Sequence, residues 1–254
     1  MAEIVVVANQ KGGVGKSTTV VNVAASLATM GKKVLAVDFD PQGNTTSGLG
    51  IIKDDVEHTV YDLLLSEDNL LKNVCLPTGI ENLSVISSNL DLSGIHLELE
   101  DVHNKYYILK NKLKPIKDEY DYIFIDTPPS LGFLTLSALS SADSVLIPLQ
   151  AEFYALEGIS QLLKTIKIVR EKLNENLSIM GVVVTMFDVR TNLSTQVLEE
   201  VTKFFKDKVY KTIIPRNVKL SEAPSFGKPV LFYQPHSVGA SSYIELAKEI
   251  IKNG

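Results

Sequence analysis

The chain has 254 residues, 45% hydrophobic and 22% charged, with a formal net charge of −5 and one cysteine. That composition is typical of a globular protein; no apolar run reaches the roughly 18 residues of a membrane span, and the N-terminus lacks the basic and apolar segments of a signal peptide, so the expected location is cytoplasmic. A lone Cys75 leaves a disulfide framework, a thiolate zinc site and a cysteine-held iron–sulfur cluster without ligands, and reads as a small buried or half-buried hydrophobe.

In chain order, strand-like apolar runs alternate with helical patterns. This predicts an α/β fold, a mostly parallel twisted sheet with helices on both faces, in one domain spanning 1–254. Glu3 to Ala8 (EIVVVA) reads as the first strand, and Val20, Val21, Val23, Ala24, Leu27 and Ala28 have helical spacing. Between them stands Asn9 to Thr18, NQKGGVGKST. A glycine-rich loop at a strand-to-helix junction is a phosphate site: Gly12, Gly13 and Gly15, with Val14 between them, let the backbone approach an anion, and the helix N-terminus through Thr18 presents N–H groups. Lys16 adds a point charge, and the Ser17 hydroxyl is placed to ligate the Mg²⁺ that accompanies a nucleoside triphosphate. Against the spacing G-x-x-x-x-G-K-[ST], Gln10 stands where the first glycine belongs, and Lys11 is a second cation in the loop. The loop is a variant, or deviant, Walker A sequence of the P-loop NTPase type.

Gly31 is the expected cap of the first helix, and Lys33 to Val37 the second strand, running into Asp38-Phe39-Asp40-Pro41-Gln42-Gly43-Asn44. Ligands of open α/β sheets sit beyond the carboxyl ends of the strands, which brings both acids near the phosphate loop. Asp40, held extended by Pro41, is the candidate to orient or deprotonate the water that attacks a γ-phosphate. The alternative for either acid is a turn or capping residue. From Ile51 to Lys114 the sequence is less informative: a capped helix over Thr59 to Leu65, a strand over Leu83 to Ser87, and helical stretches over Leu90 to Leu99 and Tyr106 to Leu113. His58, His96 and His103 lack ligand-like spacing.

Tyr122 to Asp126 (YIFID) is a buried-strand run ending in a carboxylate, the Walker B arrangement, in which Asp126 would hold Mg²⁺ directly or through a water. Two further strands, Ser144 to Leu149 and Ile179 to Val184, flank an amphipathic helix from about Leu156 to Leu173. A helix over Ser194 to Phe205 precedes Ile213 to Lys228, a stretch too rich in Pro, Ser and Asn to be expected in the core, and a helix over Ser242 to Lys252 follows. After position 160 there are 14 basic against 9 acidic residues. That half could face a polyanion, or its lysines simply solvate helix faces.

KGGVGKST, DFDPQGN, IDTPPS and IPRNVKLSEAPSFGKP together, in this order, resemble the ParA/Soj chromosome- and plasmid-partition ATPases over nearly the whole chain. The resemblance implies ATP and Mg²⁺ as cofactors and a nucleotide-sandwich homodimer in which Lys11 reaches phosphates bound by the other subunit. It implies that the segment of Pro215 and Asn217 lies against the base, with Met186 nearby, and that Arg190 and Lys219 contact nonspecific double-stranded DNA. Lys203, Lys206, Lys208 and Lys211 are further candidates from local charge alone. A ParB-type centromere-binding partner would stimulate hydrolysis, and the protein would be nucleoid-associated. With so few residues before the P-loop, no N-terminal helix-turn-helix is expected. A MinD-like membrane-cycling ATPase is the alternative, but the final helix mixes Glu245 and Glu249 with Lys248 and Lys252, so no stable membrane association is expected. An amidoligase on the same scaffold would need an acceptor pocket invisible in the sequence.

Overall fold

The computed structural model describes residues 1–67, 70–152 and 155–253, with the side chains of 155–158 left out. Seven strands form one sheet: β1 (Glu3–Val7), β2 (Val34–Asp38), β3 (Cys75–Pro77), β4 (Leu83–Ile86), β5 (Tyr122–Asp126), β6 (Ser144–Gln150) and β7 (Ser178–Thr185), in the order β3-β4-β2-β5-β1-β6-β7. All neighbours pair parallel except β3 with β4. From β1 the chain moves to one side (β2, β3, β4, then back to β5) and from β5 it crosses to the other (β6, β7), so the carboxyl ends of the adjacent β1 and β5 are the topological switch point, where such sheets bind ligands.

Side chains alternate across the sheet and build one core on each face. Val5, Val7, Val34, Ala36 and Phe124 pack beneath helices Lys16–Thr29 and Val238–Asn253. Ile4, Val6, Leu35, Val37, Ile123 and Ile125 face the helices Val60–Leu65, Ile108–Leu113, Phe133–Ser141, Ala155–Lys172 and Asn192–Phe205. Covered on both sides, the strands read as continuous apolar runs. The helix expected after Thr59 forms with a capping box: the Tyr61 N–H donates to Thr59 Oγ1 at 3.3 Å, and the Thr59 N–H to Asp62 Oδ2 at 2.7 Å.

Two expectations change, and one strand is added. The three residues of edge strand β3 are too few to carry a readable period; Pro77 suits an edge, and half-buried Cys75 has its thiol pushed up to about 11 by burial. The final helix starts at Val238 rather than Ser242, because Ser237 Oγ accepts from the Ala240 N–H at 3.1 Å and caps it earlier. Its Tyr243, Leu246, Ala247 and Ile250 are buried. The stretch from Ile213 to Lys228 does contribute to the core: Ile214 is buried, as are Leu220 on a helix Val218–Glu222 and Ala223 in the turn Ala223–Phe226 that follows. The reason is a backbone ladder, in which the Ile214 N–H donates to Val184 O at 2.9 Å and the Phe187 N–H to Ile214 O at 3.1 Å, laying the segment along the end of β7.

Candidate active site

The loop after β1 is pinned by β6 and β7. Asn9 Nδ2 donates to Pro148 O at 2.7 Å, the Lys11 N–H donates to Asn9 Oδ1 at 3.0 Å, and Thr185 Oγ1 donates to Val14 O at 2.9 Å. Gly13 and Gly15 take φ of +74° and +88°, which L side chains rarely adopt, and Gly15 leads directly into helix Lys16–Thr29. Gln10 is not among the positive-φ residues, so the loop has no conformational need for glycine at the displaced position. Lys16 is buried inside this cradle, its Nζ 3.4 Å from Lys11 O. Burial lowers the pKa of its ammonium, while Asp126 and Asp40 pull it back up.

Asp38 and Asp126 end adjacent strands in direct register, both fully buried. Both carboxyls are pushed up, by desolvation first; Asp38 adds to the rise at Asp126, and the Ser17 hydroxyl beside Asp126 opposes it. The five-residue helix Asn44–Gly48 meets them with consecutive threonines. Thr45 Oγ1 donates to Asp126 Oδ2 at 2.8 Å, while the Thr46 N–H and Oγ1 both donate to Asp38 Oδ2 at 2.7 Å. Asp126 Oδ1 is buried with no hydrogen-bond partner among the described residues. An orphaned carboxylate oxygen beside a hydroxyl fits a hard divalent cation. Among the described residues no cluster of three or more His, Cys, Asp or Glu could hold a metal by itself.

Asp40 closes a turn at the edge of the cleft. Its Oδ1 accepts from the Gln42 N–H at 3.0 Å and its carbonyl from the Gly43 N–H at 2.9 Å, a turn, yet it lines the cavity with Gly13, Lys16 and Ser17. That cavity, about 570 Å³, adjoins a second of about 440 Å³, both touching Gly15, Thr18 and Met186. Pro215, Asn217 and Tyr243 line the second. Each volume is within the range of small-molecule sites. Met186 has φ +51°, a left-handed conformation costing about 1–2 kcal/mol for an L residue. The hydrogen bond from the Arg216 N–H to Phe187 O at 2.9 Å holds the bend and brings residues 215–217 alongside. The phosphate loop, Asp40 and the 186/215/217 group, far apart in sequence, thus line two adjoining cavities.

The remaining cations stand elsewhere. Lys11 Nζ is paired with Glu152, both side chains partly exposed. Arg190 is exposed and bidentate to Asp188, donating at 2.9 and 2.7 Å, which holds that carboxyl far below the usual range. Lys219 Nζ donates to Glu222 Oε2 at 2.8 Å, an oxygen that also accepts from Tyr233 OH at 3.0 Å. Lys203, Lys206, Lys208 and Lys211 are exposed. Sequence reasoning missed Glu152, Thr45 and Thr46; the two hydroxyls directly after the acidic loop were the available signal for the threonines.

A family model described as an AAA domain matches residues 2–179. The chain is 56% identical over 254 residues, with all of both chains covered, to the sporulation initiation inhibitor protein Soj of Bacillus subtilis. It is 50% identical over 252 residues to the chromosome partitioning protein ParA of Myxococcus xanthus, covering 99% of this chain and 89% of that one. Among solved structures, cobyrinic acid a,c-diamide synthase from Mycobacterium smegmatis with bound ADP and magnesium superposes with a TM-score of 0.86 at 34% identity, covering 99% of this chain and 95% of that one. The cell division ATPase MinD of Pyrococcus furiosus superposes at 0.80 with 29% identity and full coverage of both chains.

Proposed function

Because the chain belongs to the ParA/Soj family of chromosome-partitioning ATPases, we propose that ATP drives its assembly into a sandwich homodimer that binds duplex DNA without sequence preference. Hydrolysis, stimulated by a ParB-type partner, then releases the DNA. The protein is an ATPase that uses ATP and Mg²⁺. In the proposed assignment the N–H groups of Gly12 to Thr18 and the Lys16 ammonium hold the phosphates, and Met186, Pro215 and Asn217 bound the base. Ser17 and Asp126 would hold Mg²⁺, which would supply charge neutralisation at the phosphates. Asp40 orients the attacking water, and Lys16 and the loop amides stabilise charge that develops as the β–γ bond breaks. The cell compartment that fits is the cytoplasm, at the nucleoid.

The observation that carries this reading is the division of labour between two lysines of one loop. Lys16 is buried beside Asp40 and Asp126, whereas Lys11 is held at the rim by Glu152. A cation at the rim is available to phosphates carried by a second subunit. Arg190 and Lys219, outside the nucleotide cleft, are available to DNA. The buried apolar face of helix Val238–Asn253 disfavours the membrane-cycling alternative, since the same residues cannot pack the core and enter a bilayer. ATPase rates with and without duplex DNA and a ParB-type partner test the proposal, with anionic vesicles as the contrasting arm. Joint stimulation by DNA and partner is expected, and stimulation by vesicles alone would overturn it.

A further inference from the structure

We propose that Thr45 is a positioning residue for hydrolysis, its hydroxyl tying the metal acid Asp126 to the loop that carries Asp40. The inference rests on the readings of Asp126 and Asp40 given above. Asp38 and Asp126 are register partners on neighbouring strands, whose axes lie about 4.8 Å apart. Consecutive helical residues point about 100° apart, so Thr45 and Thr46, both fully buried, reach one acid each.

The two anchors differ. Thr46 Oγ1 donates to Asp38 and accepts from the Ser88 N–H at 3.1 Å, so it joins helix Asn44–Gly48 to β2 and to the chain after β4, away from the metal acid. Thr45 Oγ1 touches Asp126 itself. By occupying Oδ2 it leaves Oδ1, the orphaned oxygen, as the atom offered to a cation. The loop between the anchors has little freedom. The Asp40 N–H donates to Asp38 Oδ1 at 3.3 Å at one end, and the turn closed by Gln42 and Gly43 leads into the anchored helix at the other. One hydroxyl therefore selects the metal-facing oxygen of Asp126 and sets where the Asp40 carboxylate stands. Without it, Oδ2 would be buried and unpartnered and would compete with Oδ1 for the cation.

Thr45→Val removes the hydroxyl at nearly constant shape, Thr45→Ser retains it, and Thr46→Val serves as a structural control. ADP affinity is measured in EDTA and in Mg²⁺, thermal unfolding without ligand, and kcat and KM for ATP. For Thr45→Val the expected results are ADP affinity in EDTA within about twofold of the parent, a gain in affinity on adding Mg²⁺ reduced roughly tenfold, and kcat reduced roughly tenfold or more with KM little changed. Thr45→Ser should restore the Mg²⁺ gain and kcat. Thr46→Val should lower the unfolding temperature while keeping the Mg²⁺ gain. If Thr45→Val does not fold, Thr45→Ala, which leaves room for a water, takes its place. A folded Thr45→Val with the parent's Mg²⁺ gain and kcat overturns the inference, as does a folded Thr45→Ser that matches Thr45→Val. Asp126→Asn separates the two levels. If it leaves the Mg²⁺ gain intact, the metal reading of Asp126 is wrong; if it abolishes the gain while Thr45→Val does not, the inference about Thr45 alone fails.

Discussion

Replacing Lys11 by alanine separates a loop that merely binds a nucleotide from one that completes a neighbour's site. The backbone role of residue 11 survives the change, because its N–H still donates to Asn9 Oδ1 and its carbonyl still faces Lys16 Nζ. The side chain loses only its pairing with Glu152, an ion pair with side chains 39% and 44% exposed. Such pairs contribute about 0–1 kcal/mol, so fold stability should change by no more than that. Nucleotide affinity of the monomer should stay within a few-fold, since Lys16 and the glycine cradle are untouched. In the proposed dimer each Lys11 makes a charge-assisted hydrogen bond to a phosphate, worth about 1.5–3 kcal/mol. Two-fold symmetry uses it twice, so the loss is roughly 3–6 kcal/mol, or about 10²–10⁴ in the dimer dissociation constant. Sedimentation velocity with a slowly hydrolysed ATP analogue, over a concentration series, measures that constant directly. A dimer weakened less than about tenfold would refute the cross-subunit role. Loss of nucleotide binding in the monomer would instead make Lys11 part of its own chain's site.

Asp40→Ala should bind ATP and dimerise yet hydrolyse at least about 10²-fold more slowly with DNA and partner present; an unchanged turnover rate would remove Asp40 from the chemistry. Arg190→Ala should weaken binding to unrelated duplexes and flatten the salt dependence by about 0.9 in log K against log salt for each phosphate no longer neutralised, and an unaltered slope places the DNA face elsewhere. Asp188→Asn removes a carboxylate that competes with phosphate for the Arg190 guanidinium, so DNA affinity should rise; filter binding at fixed salt decides, and weaker binding would make Asp188 an orienting partner instead. Burial pushes Asp38 and Asp126 up, Asp126 to about 7, so the folded chain keeps protons that the unfolded chain releases near pH 4. Ligand-free stability should therefore fall as pH rises from about 4 to about 7 and then level off. Urea midpoints across that range, flattened in Asp126→Asn, check this, and a midpoint that climbs through the window contradicts it.

Much of this protein was legible residue by residue because its signals are local. Every strand but β3 is an apolar run bounded by turn chemistry, the phosphate loop must lie between a strand and a helix, and Asp126 must end a strand because YIFID leaves it no other place. Other features depend on pairings that no window of sequence contains. β3 exists because β4 offers it an edge, and Ile214 enters the core because Val184 O accepts its N–H. The partner of Lys11, Glu152, lies 141 positions away and is set by the tertiary placement of its loop, whereas Lys219 and Glu222 pair locally on one helix. What the sequence alone determined was the chemistry of the site, since phosphate loops and strand-end acids are defined by residue type at fixed spacing. The tertiary structure decided which oxygen of Asp126 is left open and that Thr45 closes the other, because a threonine 81 positions before the acid meets it only when β2 and β5 lie side by side in register.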